Sequence, residues 1–306
     1  MKKKSGIHFL GFLSNVDSSI LKFPFEHGLK IECMDSNDAA ELMGNLENIE
    51  SFNAFHKLNN LRCINNEEKK AYCLTFIIDA NPTDSFQFGM SKKVSDFNNN
   101  IETDYIYNLL KKMRLFKEGN ILLAYHYYYS NNVKGEFKSG MHGGTTLHII
   151  EDRFTLEKSE INDLIKFVKK TKFPISQSHI QLAFENFELS HHVTHQRLEF
   201  LLLMISLESL FNPSNGELRH RISRSLAVLL GRDKSEASSI FKESKLFYDK
   251  RSELVHNGKV NISNQEIKKL RFFVRESIKL LISINKKKEA ILSKLDESGF
   301  GEKPFS

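Results

Sequence analysis

LEFLLLMISLESLF, residues 198–211, is apolar on nearly every side of a helix, with Glu199 and Glu208 among its few polar positions. A helix of that kind belongs at the buried centre of a bundle. Upstream, Ile180, Ala183, Phe184 and Phe187 keep helical spacing, so the pattern predicts one long helix over 176–211. Working outward, breaks fall at Phe173-Pro174, Asn212–Gly216, Gly231-Arg232-Asp233 and Asn257-Gly258. They leave five predicted helices: 157–170, 176–211, 216–230, 235–256 and 264–294. The last keeps Ile267, Leu270, Val274, Ile278, Leu281 and Ile284 on one stripe, with its Lys and Arg residues largely off it.

The first half follows a different period. AYCLTFII (71–78) and NILLAYHYYY (120–129) are short apolar runs rich in β-branched and aromatic residues, each bounded by turn residues. Leu29–Cys33 and Thr146–Ile150 are further strand candidates. Ile101–Lys117 spaces Ile101, Tyr105, Leu109, Leu110, Met113 and Phe116 as an amphipathic helix, and the polar stretches 34–66 and 91–100 are expected to be helix and loop. The expected fold class is therefore α+β: a mixed α/β domain over 1–152, then an all-α domain over 153–306. Gly140-Met-His-Gly-Gly144 lacks the spacing of a phosphate-binding loop and is expected to be a turn.

Composition narrows the function classes. The chain has 306 residues, 40% hydrophobic and 27% charged, which excludes wholesale disorder. No stretch is apolar for long enough to span a membrane, the longest being Phe200–Ile205. MKKKSGIHFLGFL at the N-terminus looks superficially like a secretory leader. Gly6, His8 and Gly11 break its apolar run, so a cytoplasmic protein is expected. Cys33, Cys63 and Cys73, odd in number and without CxxC spacing, fit free thiols. No cofactor fingerprint is present, and no metal site is expected. His191 and His195 stand four apart, but no glutamate of a zinc-protease motif or nearby cysteine joins them, so they are expected on a solvated stretch of the long helix. Tyr125–Tyr129 is expected to alternate across a half-buried strand. The net charge of +6 is uneven: residues 1–152 carry 17 Lys/Arg and 19 Asp/Glu, and residues 153–306 carry 27 and 19. Positive charge confined to one half points to a polyanionic partner for that half.

FYDKRSELVHNGK, residues 247–259, carries the chemistry. Arg251 precedes His256 by five positions, and Asn257-Gly258 ends the helix. On an ideal helix five residues turn about 500°, leaving the two side chains about 140° apart. Either the helix ends before His256 and the imidazole swings back, or another chain completes the site. A guanidinium holds the non-bridging oxygens of a phosphodiester and stabilises the charge that develops there. An imidazole takes a proton from a ribose 2′-OH or gives one to the leaving oxygen.

Together these residues resemble the HEPN superfamily, and more narrowly its Apea-like subgroup in prokaryotic defence proteins. The likeness lies in a Glu-containing apolar helix (Glu199, Glu208), an Arg-bearing helix ending in Leu-Leu (Arg224, Leu229, Leu230), and Tyr248-x-x-Arg251-Ser252-x3-His256, over roughly residues 176–290. The resemblance implies an all-α HEPN domain and a metal-independent RNA endonuclease without cofactor, cutting to a 2′,3′-cyclic phosphate at a site shared across a homodimer. It implies Arg251 as transition-state stabiliser, His256 as general base or acid, and Tyr248, Ser252, Asn257 and Glu208 as support. Asn257 stands between the histidine and the glycine that often follows it directly in this family. RNA (tRNA, mRNA or phage RNA) is the implied substrate, with an antitoxin or regulatory protein as a further partner, in antiviral defence or a toxin–antitoxin pair. Arg219, Arg221, Arg224, Lys250 and Lys259 are candidates for the RNA backbone, and Arg224 alternatively for an ion pair with Glu199 or Glu208. The competing expectation is a non-catalytic HEPN module that binds RNA, a nucleotide or a protein. In that case Arg251 is a surface arginine and His256 caps a helix.

Overall fold

A computed structural model describes residues 7–26, 28–78, 101–130, 138–142, 153–212, 217–258 and 260–305. The chain divides into two units, Met1–Thr145 with Glu151–Lys170, and Thr146–Ile150 with Thr171–Ser306.

The first unit is built on an antiparallel sheet. Its strands are β1 (Ile7–Ser14), β2 (Lys30–Asp35), β3 (Ile64–Asn65), β4 (Lys70–Ile78), β5 (Leu122–Ser130) and β6 (Lys138–His142). They run in the order β2-β4-β1-β5-β6, with the short β3 also paired to β4. The run that looked like a leader is therefore the central strand, bonded to β4 with Phe9 opposite Phe76 and to β5 with Phe9 opposite Tyr128. Both faces of the sheet are covered. Phe9 and Leu13 enter one core with Ile106, Leu109 and Met113 of α3 (Ile101–Phe116) and Leu164 of α4 (Ile161–Lys170). Leu10 and Phe12 enter the other, with Ala39, Ala40 and Met43 of α1 (Ser36–Glu47) and Ala54 and Leu58 of α2 (Ser51–Asn60). Burial on both faces explains strands that are apolar at nearly every position.

β5 is thus buried on both sides, not half-buried. The register against β1 shifts between Phe12 and Leu13, where Phe12 faces Tyr125 and Leu13 faces Leu123. Ala124 is the extra residue of this bulge, and it enters the same core as Tyr125. Tyr127 donates its hydroxyl to Glu47 Oε1 at 2.7 Å. With Tyr125, Tyr127 and Tyr128 each buried, these rings are core side chains and no platform for bases. Gly140–His142 belong to β6, so the expected turn there is a strand end, and Gly143 and Gly144 lie outside the described residues. So do Thr146–Ile150 and 91–100.

The expected boundary at residue 152 lies too early. Phe154, Leu156 and Leu164 are buried in the core of the sheet unit. Lys117 pairs with Glu160 at 2.6 Å, and the Phe116 and Phe167 rings lie 5.6 Å apart. Helix α4 therefore belongs to the first unit, and the helices of the second unit all lie within Thr171–Ser306. The charge asymmetry moves with it: the sheet unit holds 22 Lys/Arg and 22 Asp/Glu, the helical unit 22 and 16.

The second unit contains α5 (Ser178–Ser190), α6 (Gln196–Phe211), α7 (Leu218–Leu230), α8 (Lys234–Asn257), α9 (Asn264–Ile284) and α10 (Lys288–Glu297). Its core is α6, whose Phe200, Leu203, Met204, Leu207, Leu210 and Phe211 are all buried. The expected single helix over 176–211 is a hairpin. His191 N–H and His192 N–H reach back three residues, to Glu188 and Leu189, which tightens the end of α5. His195 then stands at the N-cap position of α6 in extended backbone. The 264–294 helix is likewise two, parted at Asn285, whose φ of 49° is left-handed. The other ends are set by ordinary chemistry: Asp233 accepts from Glu236 N–H, and Ser263 forms a capping box with Glu266.

Candidate functional site

Helix α8 carries Tyr248, Arg251, Ser252, His256 and Asn257 on one continuous rod. It starts at the Asp233 cap and closes with Gly258 N–H on Leu254 carbonyl at 3.1 Å. Gly258 holds a φ of 66°, the left-handed conformation that glycine adopts at least cost. His256 thus lies inside the last helical turn, as the expected helix 235–256 has it, and of the two alternatives the one in which the helix ends before His256 does not hold. Arg251 and His256 stay about 140° apart around the axis, so one chain alone does not set them side by side. Arg251 is half-buried; His256 is exposed.

Arg251 turns instead toward α6. Its Nε lies 3.2 Å from Glu208 Oε1 as an ion-pair contact, and its Nη2 donates to Oε2 at 3.5 Å. Burial holds the Glu208 carboxyl above its ordinary value, against the pull of Arg251. Tyr248, one turn before Arg251, is pushed up by burial and by the negative charge of Glu208. Tyr248, Arg251 and Glu208 are therefore one electrostatic cluster, with Glu208 as the ion-pair partner of Arg251. Ser252 is half-buried, and Asn257 is the exposed last helical residue.

The expected RNA-binding cations are engaged within the unit. Arg219 pairs with Asp249, Arg221 Nη2 with Asp296 Oδ2 at 3.0 Å, and Lys250 Nζ with Glu266 Oε1 at 2.5 Å. Arg224 pairs with neither Glu199 nor Glu208. Its guanidinium donates to the carbonyls of Leu295 and Ser298, both at 2.7 Å, and to that of Asp296 at 3.2 Å, so it caps the C-terminal end of α10. Glu199 takes Arg271 of α9 as its partner inside the bundle. Lys259 lies outside the described residues.

A cleft of about 510 Å³ adjoins the cluster, lined by Glu217, Leu218, Arg219, His220, Lys245 and Tyr248. Tyr248 belongs to both. Lys245 and His220 played no part in the sequence expectations. The signal available for Lys245 was its place three residues before Tyr248, which puts both on one face of α8. His220 comes from the other side, on the first turn of α7, and no local spacing joins it to α8.

The expected solvated stretch of one long helix at His191–His195 is instead the turn between α5 and α6. His191 is buried at the end of α5, its ring 4.9 Å from that of Phe187, while His195 is exposed at the next helix cap. Among the described residues no group of three His, Cys, Asp or Glu is placed to hold a metal ion. No described helix is long and apolar enough to cross a membrane. Comparison of the chain with protein-family models, with curated proteins and with solved structures returns no match.

Proposed function

We propose that the helical unit is a HEPN-type, metal-independent RNA endonuclease that works as a homodimer in antiviral defence or as a toxin. The observation that carries this reading is the α8 constellation: Arg251 held by Glu208 beside Tyr248, with His256 in the last turn of the same helix and free in solvent. The unit's cationic excess supports a polyanionic substrate. The angle between Arg251 and His256 supports a site assembled from two copies. In that assembly His256 takes the proton from the ribose 2′-OH, and the freed oxygen attacks the adjacent phosphorus. The P–O5′ bond breaks, and the second copy's His256 returns a proton to the leaving 5′-oxygen. The arginine pair holds the non-bridging oxygens while negative charge builds on them. The products are a 2′,3′-cyclic phosphate and a 5′-hydroxyl.

Purified wild type and His256→Ala, each incubated with RNA in EDTA, test this. Cutting by wild type with cyclic-phosphate ends, lost in the variant, is the expected result. Equal background cutting, or none, removes the nuclease. A strictly monomeric species that still cuts removes the shared site. One observation favours a second reading, a non-catalytic module binding RNA, a nucleotide or a protein: within a single chain Arg251 is satisfied by Glu208 and faces away from His256.

A further inference from the structure

The cleft beside Tyr248 has a composition distinct from the surrounding surface. Where Arg219, Arg221 and Lys250 are each tied to a carboxylate, Lys245 has no carboxylate within ion-pair distance among the described residues. Its ammonium sits over the Phe241 ring, 5.1 Å from the centroid. The His220 ring meets the same Phe241 edge-on at 5.4 Å. One aromatic side chain thus fixes a cation and an imidazole on the walls of a single cleft, with the Tyr248 phenol beside them. At about 510 Å³ the space accepts one nucleotide and not a folded domain.

We infer that this cleft is a nucleotide subsite of the RNA strand, seating the base against His220 and Tyr248 and the adjoining phosphate on Lys245. Stacking on rings tolerates any base, because every base has a π-face, while a lysine neutralises a phosphate as a point charge. Glu217, an acceptor in the same lining, disfavours a phosphate and suits a base amino group. The base therefore lies toward Glu217 and the phosphate toward Lys245. Through Tyr248 the subsite leads to Arg251, so its nucleotide neighbours the one being cut. The inference rests on RNA as the ligand of the proposed site, but not on the cutting step.

Binding of a fluorescent single-stranded RNA octamer to full-length His256→Ala protein, followed by anisotropy, tests it. His220→Ala and Lys245→Ala, each added to that background, should weaken binding at least about fivefold, the lower end of what a stacked base contributes. Lys245→Ala should also flatten the salt dependence by about one phosphate contact, and Lys245→Arg should restore both. Arg232→Ala, at the end of α7 opposite to His220 and with its guanidinium held by Glu236, should leave binding unchanged. Unchanged affinity in both cleft variants, or no RNA binding at all, overturns the subsite. So does adenosine monophosphate binding as tightly as the octamer, because the chain would then add nothing. RNA binding that depends on the cleft, alongside a wild type that never cuts, keeps the subsite and removes the nuclease. Cutting by wild type that is untouched by either cleft variant does the reverse.

Discussion

Helix α6 carries two glutamates nine residues apart, and each pairs with an arginine from a neighbouring helix. Nine residues turn about 900°, which puts Glu199 and Glu208 on opposite sides of the rod. Glu199 and Arg271 are 10% and 6% exposed, deep in the bundle; Glu208 and Arg251 are 18% and 29% exposed, at its surface. The same two functional groups therefore do different work. The inner pair fixes how α9 docks on α6 and is unreachable by any ligand. The outer pair holds a guanidinium at the rim, where a phosphate can reach it. On the proposed function, burial and not residue type separates the structural pair from the chemical one.

That contrast breaks most directly at the inner pair. Arg271→Ala strands the Glu199 carboxylate in the core and should cost about 3–5 kcal/mol, read as a lower urea midpoint. Changing both partners together, Glu199→Leu with Arg271→Met, should restore most of that loss, since two buried charges disappear at once. A double variant no more stable than the single one would show that the inner pair does more than satisfy itself. At the outer pair the effect should appear in activity. Arg251→Ala is expected to slow RNA cutting by roughly 10²–10³-fold while changing stability by about 1 kcal/mol or less. If it unfolds the unit as Arg271→Ala does, the two pairs are not different in kind.

Smaller effects sharpen the comparison. Gly258→Ala meets no steric obstacle but must hold a φ of 66°, so about 1 kcal/mol is expected, with His256 mispositioned in consequence. Glu208 gives the subtlest test. Its carboxyl is raised on folding, and such a group contributes stability below the ordinary carboxylate range and loses it as pH rises through the folded value. Wild type should therefore lose stability relative to Glu208→Gln from about pH 4 upward. Parallel stability curves for the two proteins would mean that Glu208 is not held above its usual range.

Apolar spacing made much of this legible. It placed α6 at the centre of the bundle and located α3, β4 and β5, because 3.6- and 2-residue periods survive in the sequence wherever a face is buried. The α5–α6 break at His191–His195 left no such trace. It uses neither glycine nor proline, and two short backbone turns end the helix instead. The membership of α4 was also hidden. Leu164, Ile165 and Val168 announce an apolar face but not which core receives it. Ion-pair partners were the least legible. Arg271 lies 72 residues from Glu199, and Arg224 spends its donors on three carbonyls, groups that every residue carries. For Arg251 and His256 both the helical angle and the stop at Asn257-Gly258 were legible, but the pairing of Arg251 with Glu208, 43 residues away, was not.

The central place of β1 sets a timetable. Its eight residues leave the ribosome well before their hydrogen-bonding partners in β5, which lie more than a hundred residues further along. Until Ile101–Phe116 and Leu122–Ser130 are made, the Phe9–Leu13 face of Ile7–Ser14 lacks the helix that covers it, and its β5 edge stays unpaired. In the helical unit, by contrast, α5 packs on α6 and α7 on α8, each on the next segment to be synthesised. Pairings that span long stretches of chain close slowly, and local ones close fast. The sheet unit should therefore supply the slow refolding phase and the species that needs a chaperone, while the unit with Arg251 and His256 matures on its own schedule.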